Sequence, residues 1–229
     1  MQDDFNSLTS KLKLNFKNPQ LLKQAFIHRS YLNEIKSEKA SNERLEFLGD
    51  SILSLVVSHH LYNLRKDDAE GELTNLRAYI VKTKSLAQAA KSLNLGNYLK
   101  LSKGEEVSGG RNNPQLLANS YEALLGAIFL DQGLEKVSQV INETLFKIFE
   151  KELKAGPPRD AKSNLQEIVQ EKMKESPHYK ILETKGPDHN KEFVVGVYIN
   201  GKEMGRGVGS SKQVAEEMAA KEALDKLTK

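Results

Sequence analysis

The chain contains no cysteine, which rules out a disulfide framework and fits the reducing cytoplasm. Long hydrophobic runs are also missing. The longest apolar stretches are broken by Ser, Gly or charge well short of membrane-span length, so a soluble protein is expected. The opening segment, MQDDFNSLTSKLKLNF, has no basic stretch followed by an apolar one, so no secretory leader is expected. There is no internal repeat and no low-complexity tract. Neither sign of charge predominates. Lys and Arg number 34 against 31 Asp and Glu, a net charge of +3, and the balance is 20 against 19 over 1–152 and 14 against 12 over 153–229. Such a balance permits a polyanionic partner without arguing for one.

What is present is a change of pattern along 229 residues, a length that suits one or two domains. Apolar residues recur at three- and four-residue spacing through Leu45–Leu64, Leu73–Leu93, Leu116–Leu130 and Val137–Leu153, predicting helices. Gly96, Gly104, Gly109, Gly110 and Gly133 fall between them. Gly156-Pro157-Pro158 cannot continue a helix and marks a linker. Beyond it Leu165, Ile168, Val169 and Met173 predict a short helix ending before Pro177. Tyr179–Thr184 and Phe193–Ile199 read as strands, and Asn200-Gly201 as a two-residue hairpin turn into a third. Ser210 or Ser211 is placed to cap a closing helix whose apolar stripe is Val214, Ala215, Met218, Ala219 and Leu224. The expected fold class is thus two domains: all-α over 1–152, a linker over 153–162, and an α+β unit of order α-β-β-β-α over 163–229.

Chemistry concentrates in NERLEFLGD, Asn42–Asp50. At about 100° per residue Glu43, Glu46 and Asp50 fall within roughly 60° of helical arc. Leu48, Ile52, Leu55 and Val56 cover the other side, while Leu53 and Val57 continue the acidic line with apolar residues. Carboxylates crowded at a buried edge raise one another's pKa unless a cation neutralises them, and Mg2+ with its preference for oxygen suits such a site. A solvated acidic face with Arg44 as partner accounts for the spacing equally well. A second helix, LLANSYEALLGAIFLD, carries Asn119 and Glu122 one turn apart among apolar and small residues. Gly49 on the first helix, with Ala123, Gly126 and Ala127 on the second, would allow close approach and bring Glu46, Asp50, Asn119 and Glu122 together. A Glu buried on such a helix needs a partner. The five histidines offer no zinc set, since His59 and His60 are adjacent and diverge on a helix; they read as structural.

These blocks carry a resemblance. NERLEFLGDSILS resembles the signature of the ribonuclease III family, and EGELTNLRAYIV, GEEVSGGRNN and ANSYEALLGAIFLDQG resemble its later blocks in order. LQE, GPDHNKEF and GRGVGSSKQVAEEMAAKEAL resemble the double-stranded RNA-binding domain that follows in bacterial members. The resemblance spans nearly the whole chain. It implies a homodimeric, cytoplasmic endoribonuclease that hydrolyses double-stranded RNA with Mg2+, Mn2+ being able to substitute. It would leave 5′-phosphate and 3′-hydroxyl ends with short 3′ overhangs in rRNA and mRNA processing. By the same analogy Glu46, Asp50, Asn119 and Glu122 form the metal site, Asp50 and Glu122 being catalytic, and Glu43 and Glu70 line the valley. No organic cofactor and no membrane are implied.

In the small domain, Gln166 and Glu167 match minor-groove contact positions, Pro187, Asp188 and His189 a second groove-reaching loop, and Lys212 a phosphate contact at a helix N-terminus. A plain polar helix face, an ordinary turn and a surface lysine are the bland alternatives. HRSY, His28–Tyr31, reads equally as packing and capping, and SGGRNN, Ser108–Asn113, as a phosphate nest or a loop. Two positions depart from the family pattern. Gln213 stands where a second basic residue is common. Asn119 stands where the family has Asp; its amide oxygen can ligate a cation but brings no charge. That departure opens the alternative of a catalytically impaired, dimeric double-stranded RNA-binding protein.

Overall fold

The computed structural model describes residues 5–35, 40–157, 160–187 and 191–227. The chain divides into two compact units, Met1–Pro157 and Pro158–Lys229. The first is helical: α1 (Asn6–Leu12), α2 (Pro19–Gln24), α3 (Arg29–Leu32), α4 (Glu43–Leu64), α5 (Glu70–Val81), α6 (Thr83–Ser92), α7 (Lys103–Val107), α8 (Pro114–Ile141) and α9 (Glu150–Ala155). No helix of the described residues is long and apolar enough to cross a membrane.

The helical unit is organised by the packing of α4 on α8. Both helices are apolar enough to be buried on much of their circumference, and their cores, Leu45, Ile52, Leu53, Val56, Val57 and Leu61 against Leu117, Tyr121, Leu124, Leu125 and Ile128, belong to one cluster. Two glycines set the distance between the axes. A Cβ on Gly49 would overlap the carbonyl oxygen of Glu122, and a Cβ on Gly126 would overlap that of Leu45. The expected role of these small residues is therefore met backbone to backbone.

Two predicted helices are divided in the structure. The Leu73–Leu93 segment breaks at Lys82, which is extended (φ −66°, ψ 152°), and Ser85 inside the next helix turns its hydroxyl back to the carbonyl of Tyr79 at 2.9 Å. Gly133 separates two helical stretches of α8 as expected, its backbone being non-helical (φ 81°, ψ −179°); the second predicted helix that is divided is Val137–Leu153, broken by a π-helical turn over Asn142–Phe146. That turn positions Thr144, whose hydroxyl donates to Val140 O at 2.6 Å and accepts from the fully buried Tyr121 hydroxyl at 2.7 Å. Periodicity alone carries no trace of such a bond. Helical structure also runs past the expected limit at 152: Leu153 is buried, and Arg65 donates to the carbonyl of Lys154 at 2.6 Å.

The second unit has the expected order, α10 (Ala161–Met173), β1 (His178–Lys185), β2 (Glu192–Ile199), β3 (Lys202–Gly209) and α11 (Lys212–Leu227), with an antiparallel sheet in the order β1-β2-β3. Asp160 caps α10 through Ser163 N at 2.9 Å, and Ser211 caps α11 through Val214 N at 3.3 Å. Asn200 and Gly201 both take positive φ, 50° and 74°, as a hairpin turn of this length requires. The stripe expected on α11 is rotated. Ala215, Ala219, Ala220 and Ala223 are buried, whereas Val214 and Met218 are about half exposed. The cause lies on β3, where a Cβ on Gly205 or Gly207 would strike the α11 backbone. Only the small face of the helix fits that close.

Candidate active site

The first turns of α4 place Glu43, Glu46 and Asp50 along its edge, and α8 brings Asn119 and Glu122 beside them at the Gly49–Gly126 crossing. Glu122 is half-buried, and its carboxyl is pushed up to about 8, first by burial, then by Asp50 and Glu46. Burial also raises Glu46, with Glu43 and Asp50 adding to the shift and a hydrogen bond from Asn119 opposing it. Among the described residues, no lysine, arginine or histidine contributes to either shift. The plain acidic face with Arg44 as neutraliser does not describe these two carboxyls.

Glu43 differs. It is exposed, accepts from Ser41 Oγ at 2.8 Å, and lies 3.7 Å from the Arg29 guanidinium. Glu70 is the first residue of α5 and accepts from Thr74 Oγ1 at 2.9 Å, on a groove shared with Leu55, His59, Tyr62 and Arg77. Asn119 makes a contact that spacing does not announce: its Oδ1 accepts from Gln115 Nε2 at 2.7 Å. The i, i+4 spacing on α8 was the available signal.

Among the described residues, no three His, Cys, Asp or Glu side chains are grouped to hold a metal ion as they stand. The donors nonetheless fit a hard divalent cation by their chemistry. All are oxygens, their negative charge is crowded at a half-buried edge, and among the described residues nothing cationic offsets Glu46 or Glu122.

Other singled-out residues resolve into structure. His28 Nδ1 accepts from Ser30 N at 3.3 Å at the start of α3, and Ser30 Oγ accepts from Ser102 N at 3.1 Å. His60 stacks on Phe146 with ring centroids 4.2 Å apart, and burial lowers its pKa. In SGGRNN, Arg111 donates to the carbonyls of Gly96 and Leu99 and pairs with Glu106 at 2.7 Å, which makes this segment an anchored loop. In the second unit Gln166 and Glu167 are exposed on α10, Lys212 is exposed as the first residue of α11, and Pro187 is exposed. Asp188 and His189 lie outside the described residues.

The family description Ribonuclease-III-like matches residues 18–149, and Double-stranded RNA binding motif matches residues 161–227. Ribonuclease 3 of Caldanaerobacter subterraneus subsp. tengcongensis is 49% identical over 220 residues, covering 96% of each chain. Ribonuclease 3 of Oceanobacillus iheyensis is 46% identical over 228 residues, covering 98% of each. Among solved structures, a nuclease domain of ribonuclease III from Campylobacter jejuni, which has a structurally flexible region involved in dimer formation, superposes with a TM-score of 0.60 at 39% identity, covering 64% of this chain and 99% of that one. With carboxylates brought together where α4 crosses α8, an α-β-β-β-α unit following in the sequence and full-length relatives of one kind, this chain belongs to the ribonuclease III family.

Proposed function

We propose that the α4–α8 crossing is the site at which this chain hydrolyses double-stranded RNA, with Glu46, Asp50, Glu122 and the position held by Asn119 serving a divalent cation, Mg2+ or, in its place, Mn2+. The observation that carries this reading is Glu122, whose carboxyl is raised to about 8 by burial and two neighbouring carboxylates. Such a cluster is unfavourable without positive charge and becomes favourable with it. When bound, a divalent cation supplies Lewis acidity, acidifying water and offsetting charge on phosphate oxygens.

The side chains then have distinct tasks. Glu46, Asp50 and Glu122 orient the attacking water and the scissile phosphate in line, since phosphoryl chemistry rests on positioning and charge more than on covalent steps. Neither a histidine nor a serine is required as nucleophile. Glu43 and Glu70, both exposed, border the valley in which the duplex lies. The second unit holds A-form RNA by shape, through Gln166 and Glu167 on α10, the loop containing Pro187 and His189, and Lys212 at the N-terminus of α11.

A homodimer is supported by α4 itself. Phe47, Leu55 and Tyr62 recur at seven- and eight-residue spacing and are 77%, 56% and 72% exposed, an apolar stripe without a partner inside the protomer. The products are 5′-phosphate and 3′-hydroxyl ends with short 3′ overhangs, and processing of rRNA and mRNA precursors sets the activity in the cytoplasm.

Incubation of the full chain with a long RNA duplex and Mg2+ tests the reading. Cleavage is expected, and Glu122→Gln is expected to abolish it. No cleavage with either Mg2+ or Mn2+ would sink it. The impaired RNA binder draws no support from relatives that are named as ribonucleases across the full chain.

A further inference from the structure

Arg29 is the first residue of α3, and the backbone on both sides of it is pinned. Before it, His28 N donates to the Lys100 carbonyl at 3.1 Å; after it, Ser30 Oγ accepts from Ser102 N at 3.1 Å. The start of α4 is tied to the same strip, since Asn42 N donates to the Ile27 carbonyl at 2.8 Å. Arg29 thus stands on a fixed base beside the first turn of α4. There its guanidinium lies 3.7 Å from one carboxylate oxygen of Glu43, whose other oxygen accepts from Ser41 Oγ at 2.8 Å. Glu43 is one helical turn from Glu46 and roughly 10 Å along the axis from Asp50. A cation therefore stands at the end of the carboxylate line.

The ion pair with Glu43 does not account for this arginine. At 3.7 Å it is longer than a hydrogen bond, and the two side chains are 74% and 55% exposed, so it contributes little. The guanidinium keeps a planar fork of donors open to solvent, a shape that matches a phosphate. We infer that Arg29 is a substrate-binding residue that grips the RNA phosphate adjoining the scissile one, with Glu43 parking the guanidinium until the duplex arrives. The inference rests on the reading of Glu46, Asp50 and Glu122 as the cleavage site. A strand whose scissile phosphate lies among those carboxylates runs its next phosphate past the end of the line, where carboxylates alone would repel it. The guanidinium replaces that repulsion with a charge-assisted bond, and the pairing it gives up is weak.

Cleavage of a short RNA duplex in Mg2+ by the full chain, compared with R29Q, R29K, E43Q and R29Q/E43Q, tests this. R29Q is expected to raise KM by about 5- to 20-fold with kcat nearly unchanged. It should also make the fall of log(kcat/KM) with log[salt] shallower by about one. R29K keeps the charge without the fork, so its salt slope should match that of the unmodified protein while KM recovers only in part. Thermal unfolding of R29Q should be unchanged, because the side chain is exposed. The rise in KM from E43Q to R29Q/E43Q should equal that caused by R29Q alone, since the partner of Arg29 is then RNA. Its disappearance in the E43Q background would make Arg29 a mere support for Glu43. That result, or an unchanged KM and salt slope in R29Q, overturns the inference while leaving the cleavage site standing. E122Q separates the two readings. If cleavage is absent, or is indifferent to E122Q, the cleavage site itself falls and the role of Arg29 falls with it.

Discussion

Glu122 carries a pH dependence whose sign follows from its surroundings. Its folded-state pKa, about 8, lies above the ordinary value of 4.5, so the folded chain retains a proton that the unfolded chain releases. Below about 4.5 both states hold it and nothing is lost. As pH rises from there to about 8 the metal-free protein loses stability, and the loss persists above that range. Glu122→Gln removes the ionisation and should flatten this decline. After discounting for solvent screening, a gain on the order of 2 kcal/mol near pH 8.5 corresponds to a rise of about 4–8 °C in Tm. Thermal unfolding in chelator at pH 5.5 and 8.5 provides the check, and identical slopes for the two proteins would contradict the assignment. The same substitution that kills cleavage is thus expected to stabilise the metal-free chain. At this scale much was legible. Glu46, Asp50 and Glu122 stand out as carboxylates on apolar helices, and the structure brings them close enough for Asp50 to add to the rise of both glutamates. The bond between Gln115 and Asn119 was not legible, because i, i+4 polar pairs are common on exposed helix faces.

Among the helices and strands, the determinant is closeness of approach. The carboxylates of the proposed site meet because α4 and α8 touch through backbone at Gly49 and Gly126, with no side chain between them. Gly126→Ala would set a methyl group against the Leu45 carbonyl, and neither helix can withdraw without opening the core that flanks the crossing. A loss of about 3 kcal/mol or more is expected in urea unfolding, with cleavage lost even where the variant remains folded. A fully stable, fully active G126A would show that the crossing can relax at no cost to the site. The same logic explains where the sequence misleads. The apolar stripe expected on α11 joins Val214 and Met218 to Ala215, Ala219 and Leu224, but the glycines of β3 admit only the alanine face and leave Val214 and Met218 half exposed. Hydrophobicity ranks candidates for burial, while the space left by the facing element decides among them. Lys82 divides α5 from α6 for a related reason: a helical pattern continues through it, yet a tertiary bend from Ser85 to the Tyr79 carbonyl ends the first helix there.

For the molecule as a whole, the question is where one unit ends and what the second adds. Gly156-Pro157-Pro158 is visible in sequence as a break, and the two units divide between the prolines. Leu153, the last residue of the periodic segment, is 3% exposed in the core of the helical unit. What the sequence conceals is that the helix runs on to Ala155, where the Lys154 carbonyl accepts the Arg65 guanidinium, which also holds Asp68 at 2.6 Å. The Arg65 contact is long-range and leaves no periodic signature. Two truncations of nearly equal length should therefore behave differently. A chain ending at Pro157 keeps Leu153 and the Arg65 bond and should unfold cooperatively near the temperature of the helical unit in the intact protein. A chain ending at residue 152 loses a buried leucine and leaves Arg65 without its carbonyl partner, a penalty of about 2–5 kcal/mol from the side chain alone. The folded truncation then isolates the contribution of the second unit. Without the exposed Lys212 and the α10 face, binding to a duplex should weaken and lose its tolerance of salt, because fewer phosphate contacts hold the RNA near the carboxylates. Cleavage by the Pro157 truncation should survive at low ionic strength and vanish as salt approaches physiological levels, while the intact chain remains active. If that folded truncation cut nothing at any salt concentration, the second unit would have to contribute to the cleavage step itself, and the division of labour between a cutting unit and a holding unit would be wrong.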